Sequence, residues 1–161
     1  MQLRAAVADD LAAIAALFLR ARRAAYGQMP ALAHDDADVR TWVACWDLSR
    51  LTVWVAESTE QDAPELLGFV AFTETWLDHL YVTPSAQGGG VGGALLELVK
   101  ALRPAGFSLW VFAANTSARG FYAAHGLVER EHTDGSENEE GEPDLRMEWS
   151  GECRSAVLSE P

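Results

Sequence analysis

Residues 87–93 read Gln-Gly-Gly-Gly-Val-Gly-Gly, a stretch so poor in side chains that any chemistry it does must come from its backbone. Glycine costs roughly 0.5–1 kcal/mol in a helix or strand interior relative to alanine. Such a run is therefore either a loose linker or a place where peptide N–H groups touch a ligand. The flanks argue against a linker. Leu80-Tyr81-Val82 reads as the end of a buried strand, and Val91, Leu95, Leu98 and Leu102 recur at helical spacing. A strand, a glycine turn and a helix start present free N–H groups and the positive end of a helix dipole, which together bind anions. Phosphate is the anion this arrangement favours.

Three kinds of phosphate site share parts of this pattern. The Walker pattern needs Gly-Lys-Ser/Thr at its end, but Gly92-Gly93 is followed by Ala94-Leu95. Gly88, Gly90 and Gly93 satisfy Gly-x-Gly-x-x-Gly, the dinucleotide fingerprint. That site also needs an acid to hold a ribose, and the next strand ends Phe112-Ala113-Ala114-Asn115 without one. The third pattern uses more of the chain. Gln87-Gly88-Gly89-Gly90-Val91-Gly92 resembles the Gln/Arg-x-x-Gly-x-Gly pyrophosphate loop of the GNAT superfamily of acyl-CoA-dependent N-acyltransferases. A second block, Asn115-Thr116-Ser117-Ala118-Arg119-Gly120-Phe121-Tyr122-Ala123-Ala124-His125-Gly126-Leu127, is similar to that superfamily's Asn-x-x-Ala-x-x-Phe-Tyr-x-x-x-Gly-Phe segment. Leu127 replaces the usual Phe, a change of core packing. The resemblance spans residues 2–150.

It implies acetyl-CoA as cosubstrate, an amine-bearing acceptor and no metal. On this reading the amides of Gly88, Gly89, Gly90, Val91, Gly92 and Gly93 receive the pyrophosphate, although Gly89 and Gly93 serve helix–sheet packing equally well. Gln87 closes the loop through its side chain. The strand carrying Leu80, Tyr81 and Val82 is expected to splay from its neighbour and bind the pantetheine arm through its backbone. The Val82 N–H is then expected to hold the thioester oxygen as it becomes an oxyanion. Tyr122 is the expected acid: expelling a thiolate is eased by a phenol within hydrogen-bond reach. Its competing role is a half-buried aromatic on the face of Ala118, Phe121 and His125. Asn115 can cap its helix or bond the pantetheine. His125 reads as a helix-end residue near the dipole's negative pole.

The incoming amine must be neutral to attack, yet a lysine-like ammonium has a pKa of about 10.4. Glu74, Asp78, His79, Glu139, Glu140 or water could take the proton, and each of those side chains reads equally well as structural. Asp78 and His79 are adjacent on a strand and so point to opposite faces, which leaves only one facing substrate. Residues 134–144 hold six acids and no Lys or Arg. That stretch reads first as a solvated hairpin end, and second as a rim attracting cationic amines. Trp42, Trp46 and Tyr26 are placed at the acceptor pocket or, for the tryptophans, in the core.

The elements that must position these groups follow from periodicity and turn chemistry. A strand over residues 2–7 precedes a helix capped by Asp9, with Leu11, Ile14, Phe18, Ala21 and Ala25 on one face. A second helix covers residues 35–47, with Val39, Trp42, Val43 and Trp46 at core spacing. Strands follow at 51–57, 66–73 and 76–82, the first two joined by a polar turn at 58–64. After the glycine segment and its helix come a strand at 107–113, a helix at 116–125 ended by Gly126, and a hairpin of 127–133 with 144–149. The order β-α-α-β-β-β-α-β-α-β-β is a mixed α/β layer fold, and the resemblance implies a central twisted sheet flanked by helices.

The 161 residues suit one domain, here 1–150 with a frayed tail at 151–161. A formal net charge of −12 argues against a nucleic-acid surface. No window holds the roughly 18 apolar residues of a membrane span, and the start lacks signal-peptide features. Cys45 and Cys153 have no metal or redox spacing, so a reduced cytoplasmic setting is expected, with a homodimer left open. The chain reads as an N-acetyltransferase in which a primary amine attacks the thioester directly, because no nucleophile constellation for an acyl-enzyme is visible. The alternative is a non-catalytic acyl-CoA-binding sensor of the same fold.

Overall fold

The computed structural model describes residues 1–59 and 65–151. Most of the turn expected at 58–64, and the tail with Cys153, lie outside these residues. The order of elements agrees with the expectation: β1 Gln2–Ala5, α1 Leu11–Ala24, α2 Asp36–Ala44, β2 Thr52–Glu57, β3 Leu66–Phe72, β4 Leu77–Val82, α3 Val91–Leu102, β5 Phe107–Phe112, α4 Thr116–Ala124, β6 Val128–His132 and β7 Asp144–Trp149. Two antiparallel sheets result, β1-β2-β3-β4 and β5-β7-β6.

Alternation along the central strands builds a core on each face. Val53, Val55, Phe69 and Ala71 pack against Ile14, Leu17, Val39 and Val43 of α1 and α2. Ala56, Val70 and Phe72 turn the other way, toward Leu95, Leu96 and Val99 of α3. Helix α3 comes unusually close to the sheet at Gly68, where a Cβ would lie 2.9 Å from the Tyr81 carbonyl oxygen and 3.1 Å from Val91 and Leu95.

The local signals differ from expectation in three places. Asp9 does not cap α1; the carboxylate of Asp10 instead accepts from the Val7 N–H at 2.8 Å and is held by Arg4. The buried stripe of α3 is Val91, Leu95, Leu96 and Val99, while Leu102 is 40% exposed. The helix is rotated so that Leu96 and Val99 meet the sheet, and Leu102 falls past the sheet edge. Asp35 does cap α2, accepting from the Ala37 and Asp38 amides. On α2, however, Trp42 is 44% exposed rather than core.

Candidate active site

The two sheets meet at one point. Ser108 N–H donates to the Thr75 carbonyl at 2.9 Å, Trp76 bridges Ser108, and the Trp76 and Trp110 rings stack at 6.3 Å. β5 pairs with β7 along its whole length, and beyond this contact β4 pairs only with β3, which leaves it one free edge. The register decides which groups occupy that edge. Thr83 N–H donates to Leu67 O, and Tyr81 faces Phe69 in the same phase. Leu80 and Val82 lie in the opposite phase, so their N–H and C=O groups point away from β3 into the split. The expected splay is therefore present, and backbone groups that pair with no neighbouring strand line it.

The glycine loop sits at the mouth of this split. Gly88 and Gly90 have φ of 76° and 83°, a left-handed conformation that side chains resist. This turn brings Gly90 to the N-cap of α3 and leaves the first amides of that helix without intrahelical acceptors. Gln87 Nε2 donates to the Val82 carbonyl at 3.3 Å. Gly93 lines the same groove as Gly88, Gly90 and Gly92, and a Cβ there would lie 3.3 Å from His125 Nε2. A groove of about 500 Å³ runs along Val82, Gln87, Gly88, Gly90, Gly92 and Asn115. His125 borders it, its Nδ1 bonded to Phe121 O at 2.8 Å.

A second cavity of about 810 Å³ opens on the far side. Met29, Leu80, Tyr81, Asn115 and Ala118 border both spaces, so the two join at β4. Tyr122 faces the larger one. It is buried, and burial, with Tyr81 nearby, pushes its phenol above the usual tyrosine range. The group therefore stays protonated throughout the neutral range. Asn115 caps α4 by accepting from the Ala118 N–H at 3.1 Å, which fixes the helix carrying Tyr122.

The cavity's other wall is aromatic. His79 stacks on Trp46 at 5.5 Å and meets Trp42 edge-on at 5.3 Å, and Phe18 packs against Tyr81 at 4.8 Å. Burial, with Arg22 adding to it, pushes the His79 imidazole down to about 4. Asp78 is itself exposed, and desolvation by its surroundings raises its carboxyl. Tyr81 is raised by burial too, and the neighbouring Arg22 opposes that shift.

Asp78 and His79 both border the cavity; His79 packs among Phe18, Trp42 and Trp46, while Asp78 is exposed. Opposite faces of β4 remain accessible because the sheet is open beside it. Glu139 and Glu140 also reach the cavity, engaged with His34 and Arg22 respectively. Glu74 is exposed and outside it. Tyr26, expected near the acceptor, is 75% exposed and likewise outside. Trp42 lines the cavity, whereas Trp46 supports it from behind His79.

Sequence reasoning missed Arg22 and Asp38, which also line the cavity. A signal for Arg22 was present: it follows Phe18 by four residues on the apolar face of α1, where a charge needs a reason.

A split α/β sheet with a glycine turn at its mouth and two adjoining cavities along one open strand edge is the arrangement the structure shows. Residues 49–129 match the acetyltransferase (GNAT) domain, and the chain belongs to that family. It is 38% identical over 80 residues to the peptidyl-lysine N-acetyltransferase YjaB of Salmonella typhimurium LT2. That match covers 50% of this chain and 52% of the relative, so the chain spans about half the length of the curated relative it matches. Its fold is similar to apo YjaB from Escherichia coli, with a TM-score of 0.73, 21% identity and coverage of 94% of this chain and 98% of that one. It is also similar to PaiA N-acetyltransferase from Thermoplasma acidophilum in complex with coenzyme A, with a TM-score of 0.69, 18% identity and coverage of 92% and 98%. Among the described residues, no helix is long and apolar enough to cross a membrane.

Proposed function

We propose that residues 1–150 form one catalytic domain that transfers the acetyl group of acetyl-CoA to a primary amine. The observation that carries this reading is the free edge of β4, which leads from the glycine loop to Tyr122. The loop amides suit a pyrophosphate, since N–H bonds to charged oxygen are among the stronger hydrogen bonds. The Leu80 and Val82 backbones suit the amide-bearing pantetheine arm, and the thioester then lies where groove and cavity join.

The amine attacks the thioester carbon, forming C–N as C–S breaks, and the thiolate takes the Tyr122 proton. Leu80 rather than Val82 is the better oxyanion donor, because Leu80 borders the cavity shared with Tyr122 while Val82 lies toward the loop and Gln87. Losing such a donor costs about 10²–10³ in rate. The amine's proton goes to Asp78, directly or through one water. Glu139 and Glu140 have cationic neighbours, and His79 at about 4 is a weak base. Asp78 is raised above its ordinary value by desolvation and is in no ion pair among the described residues.

The family and the peptidyl-lysine name of the relative support amine acetylation over a sensor role. The consumption of acetyl-CoA makes the cytoplasm the expected location. Thiol release from acetyl-CoA with a panel of primary amines tests the assignment. Tight acetyl-CoA binding without release for any amine would favour the sensor.

A further inference from the structure

Arg22 is a buried charge in the acceptor cavity that the reaction above leaves unused. It is 6% exposed, and a guanidinium cannot shed its proton. Its Nη2 reaches the Pro30 carbonyl and Glu140 Oε1, each at 3.3 Å, and the Tyr81 phenol lies beside it. One face covers the Phe112 ring at 5.8 Å. Its Nε–H has no partner among the described residues. Buried donors are rarely left open, because an unfilled one bears its full desolvation cost. A latch from α1 to the segment after it at Pro30 and to the loop after β6 at Glu140 accounts for the two long Nη2 bonds only. A carboxylate accounts for more, since it accepts two parallel N–H bonds from one guanidinium.

We propose that the acceptor is amino-acid-like, a primary amine that also carries a carboxylate, and that Arg22 binds this carboxylate in place of Glu140. The proposal rests on the acetyltransferase reading and narrows its substrate class. Arg22 adjoins Tyr81, which borders both cavity and groove. The bound carboxylate thus lies close to the thioester, as it must when amine and carboxylate share one carbon. Asp38 and Asp78 also line the cavity, and neither forms an ion pair among the described residues; they face the ammonium end. Phe18 and Trp42 offer an apolar wall to the side chain. A simple polyamine would meet a buried like charge and leave Nε–H open.

The experiment uses matched acceptors differing only in the carboxylate: phenylalanine against phenethylamine, and leucine against 3-methylbutylamine. Rates are corrected for the neutral fraction of each amine. In the wild type, kcat/KM for the carboxylate member is expected to be at least about tenfold higher, as befits hydrogen bonds to a charged group. Arg22→Met should bring that ratio near one by slowing the amino acids selectively. Glu140→Gln should lower KM for the amino acids, because it removes the competing carboxylate. If Arg22 were only a latch, Glu140→Gln would slow both members alike, and the proposal would fall. Equal rates in the wild type, or preference for the plain amine or for a blocked peptidyl lysine, would overturn it too. Should Arg22→Met not fold, the wild-type ratio and Glu140→Gln decide. Failure of acetyl transfer itself looks different: no thiol release with any amine.

Discussion

Gln87 Nε2 donates to the carbonyl of Val82 across 3.3 Å, so the glycine loop is tied to the free edge of β4 by a side chain five residues downstream. That bond couples the two halves of the proposed acetyl-CoA site. It sets where the loop amides stand relative to the backbone that would grip the pantetheine arm. Gln87→Ala should weaken acetyl-CoA binding about 5- to 10-fold, the worth of one hydrogen bond of ordinary strength, and leave melting temperature unchanged. Isothermal calorimetry beside a thermal melt checks this; unchanged affinity would make the bond a bystander.

Gly90 tests the loop itself. Gly90→Glu adds bulk and a negative charge where a pyrophosphate would touch backbone, and it should abolish acetyl-CoA binding. Because φ is 83° here, any side chain carries some strain, so Gly90→Asn is the control. Asparagine tolerates the left-handed region better than most residues and has no charge. The Asn variant should fold and retain measurable affinity. Calorimetry showing unchanged affinity in a folded Glu variant would reduce the loop to a packing turn.

Much of the fold was legible because its signals are local. Alternation in β2 and β3, the Asp35 cap and the Gly126 stop each act within a few residues. The loop and α4 blocks were legible as motifs, and the structure brings them together along one groove. What could not be read depends on distant partners. Which face of α3 is buried, with Val99 inside and Leu102 exposed, depends on packing against strands remote in sequence. The cavity role of Arg22 depends on Tyr81 and Glu140, far apart in sequence. That Asp78 and His79 both border one cavity could not be read either, because strand alternation says nothing about a missing neighbour strand.

Stability should respond to acid through Asp10. Arg4 holds its carboxylate with bonds of 2.7 and 2.8 Å, which lowers its pKa below the ordinary aspartate value. A carboxyl lowered on folding stabilises above its unfolded pKa of about 3.9, and this is lost as pH falls through the lower folded value. Asp10→Asn should therefore melt a few degrees below wild type at pH 7. The gap should close as the pH falls below about 4. A gap that persists undiminished at low pH would assign the effect to the Val7 N–H bond instead of to charge.

The proton acceptor has a pH signature. Asp78 is raised by desolvation, so its base form should be lost, as pH falls, above the ordinary aspartate range. The acidic limb of kcat/KM reports that loss. Asp78→Asn should cut the rate about 10²-fold and erase the limb. His79→Phe, which keeps a ring against Trp46, should leave the limb in place. An acidic limb that survives Asp78→Asn would hand the role to water or another carboxylate.

Tyr122→Phe keeps the ring in its core and removes only the proton. If Tyr122 supplies that proton to the leaving thiolate, turnover should fall about 10²–10⁴-fold. Acetyl-CoA affinity and melting temperature should barely move, since the phenol's high pKa reflects burial and nearby Tyr81 rather than a hydrogen bond the fold depends on. Acceptor and acetyl-CoA must both be near saturation, so that weaker binding is not read as slower chemistry. The acyl donor offers an independent check. A thioester whose thiol has a much lower pKa needs less help in departing, so the variant's deficit should shrink with such a donor. A deficit of the same size with both donors would mean that the hydroxyl orients the thioester rather than protonating sulfur. A wild-type rate would make Tyr122 a packing residue and leave thiolate departure to solvent.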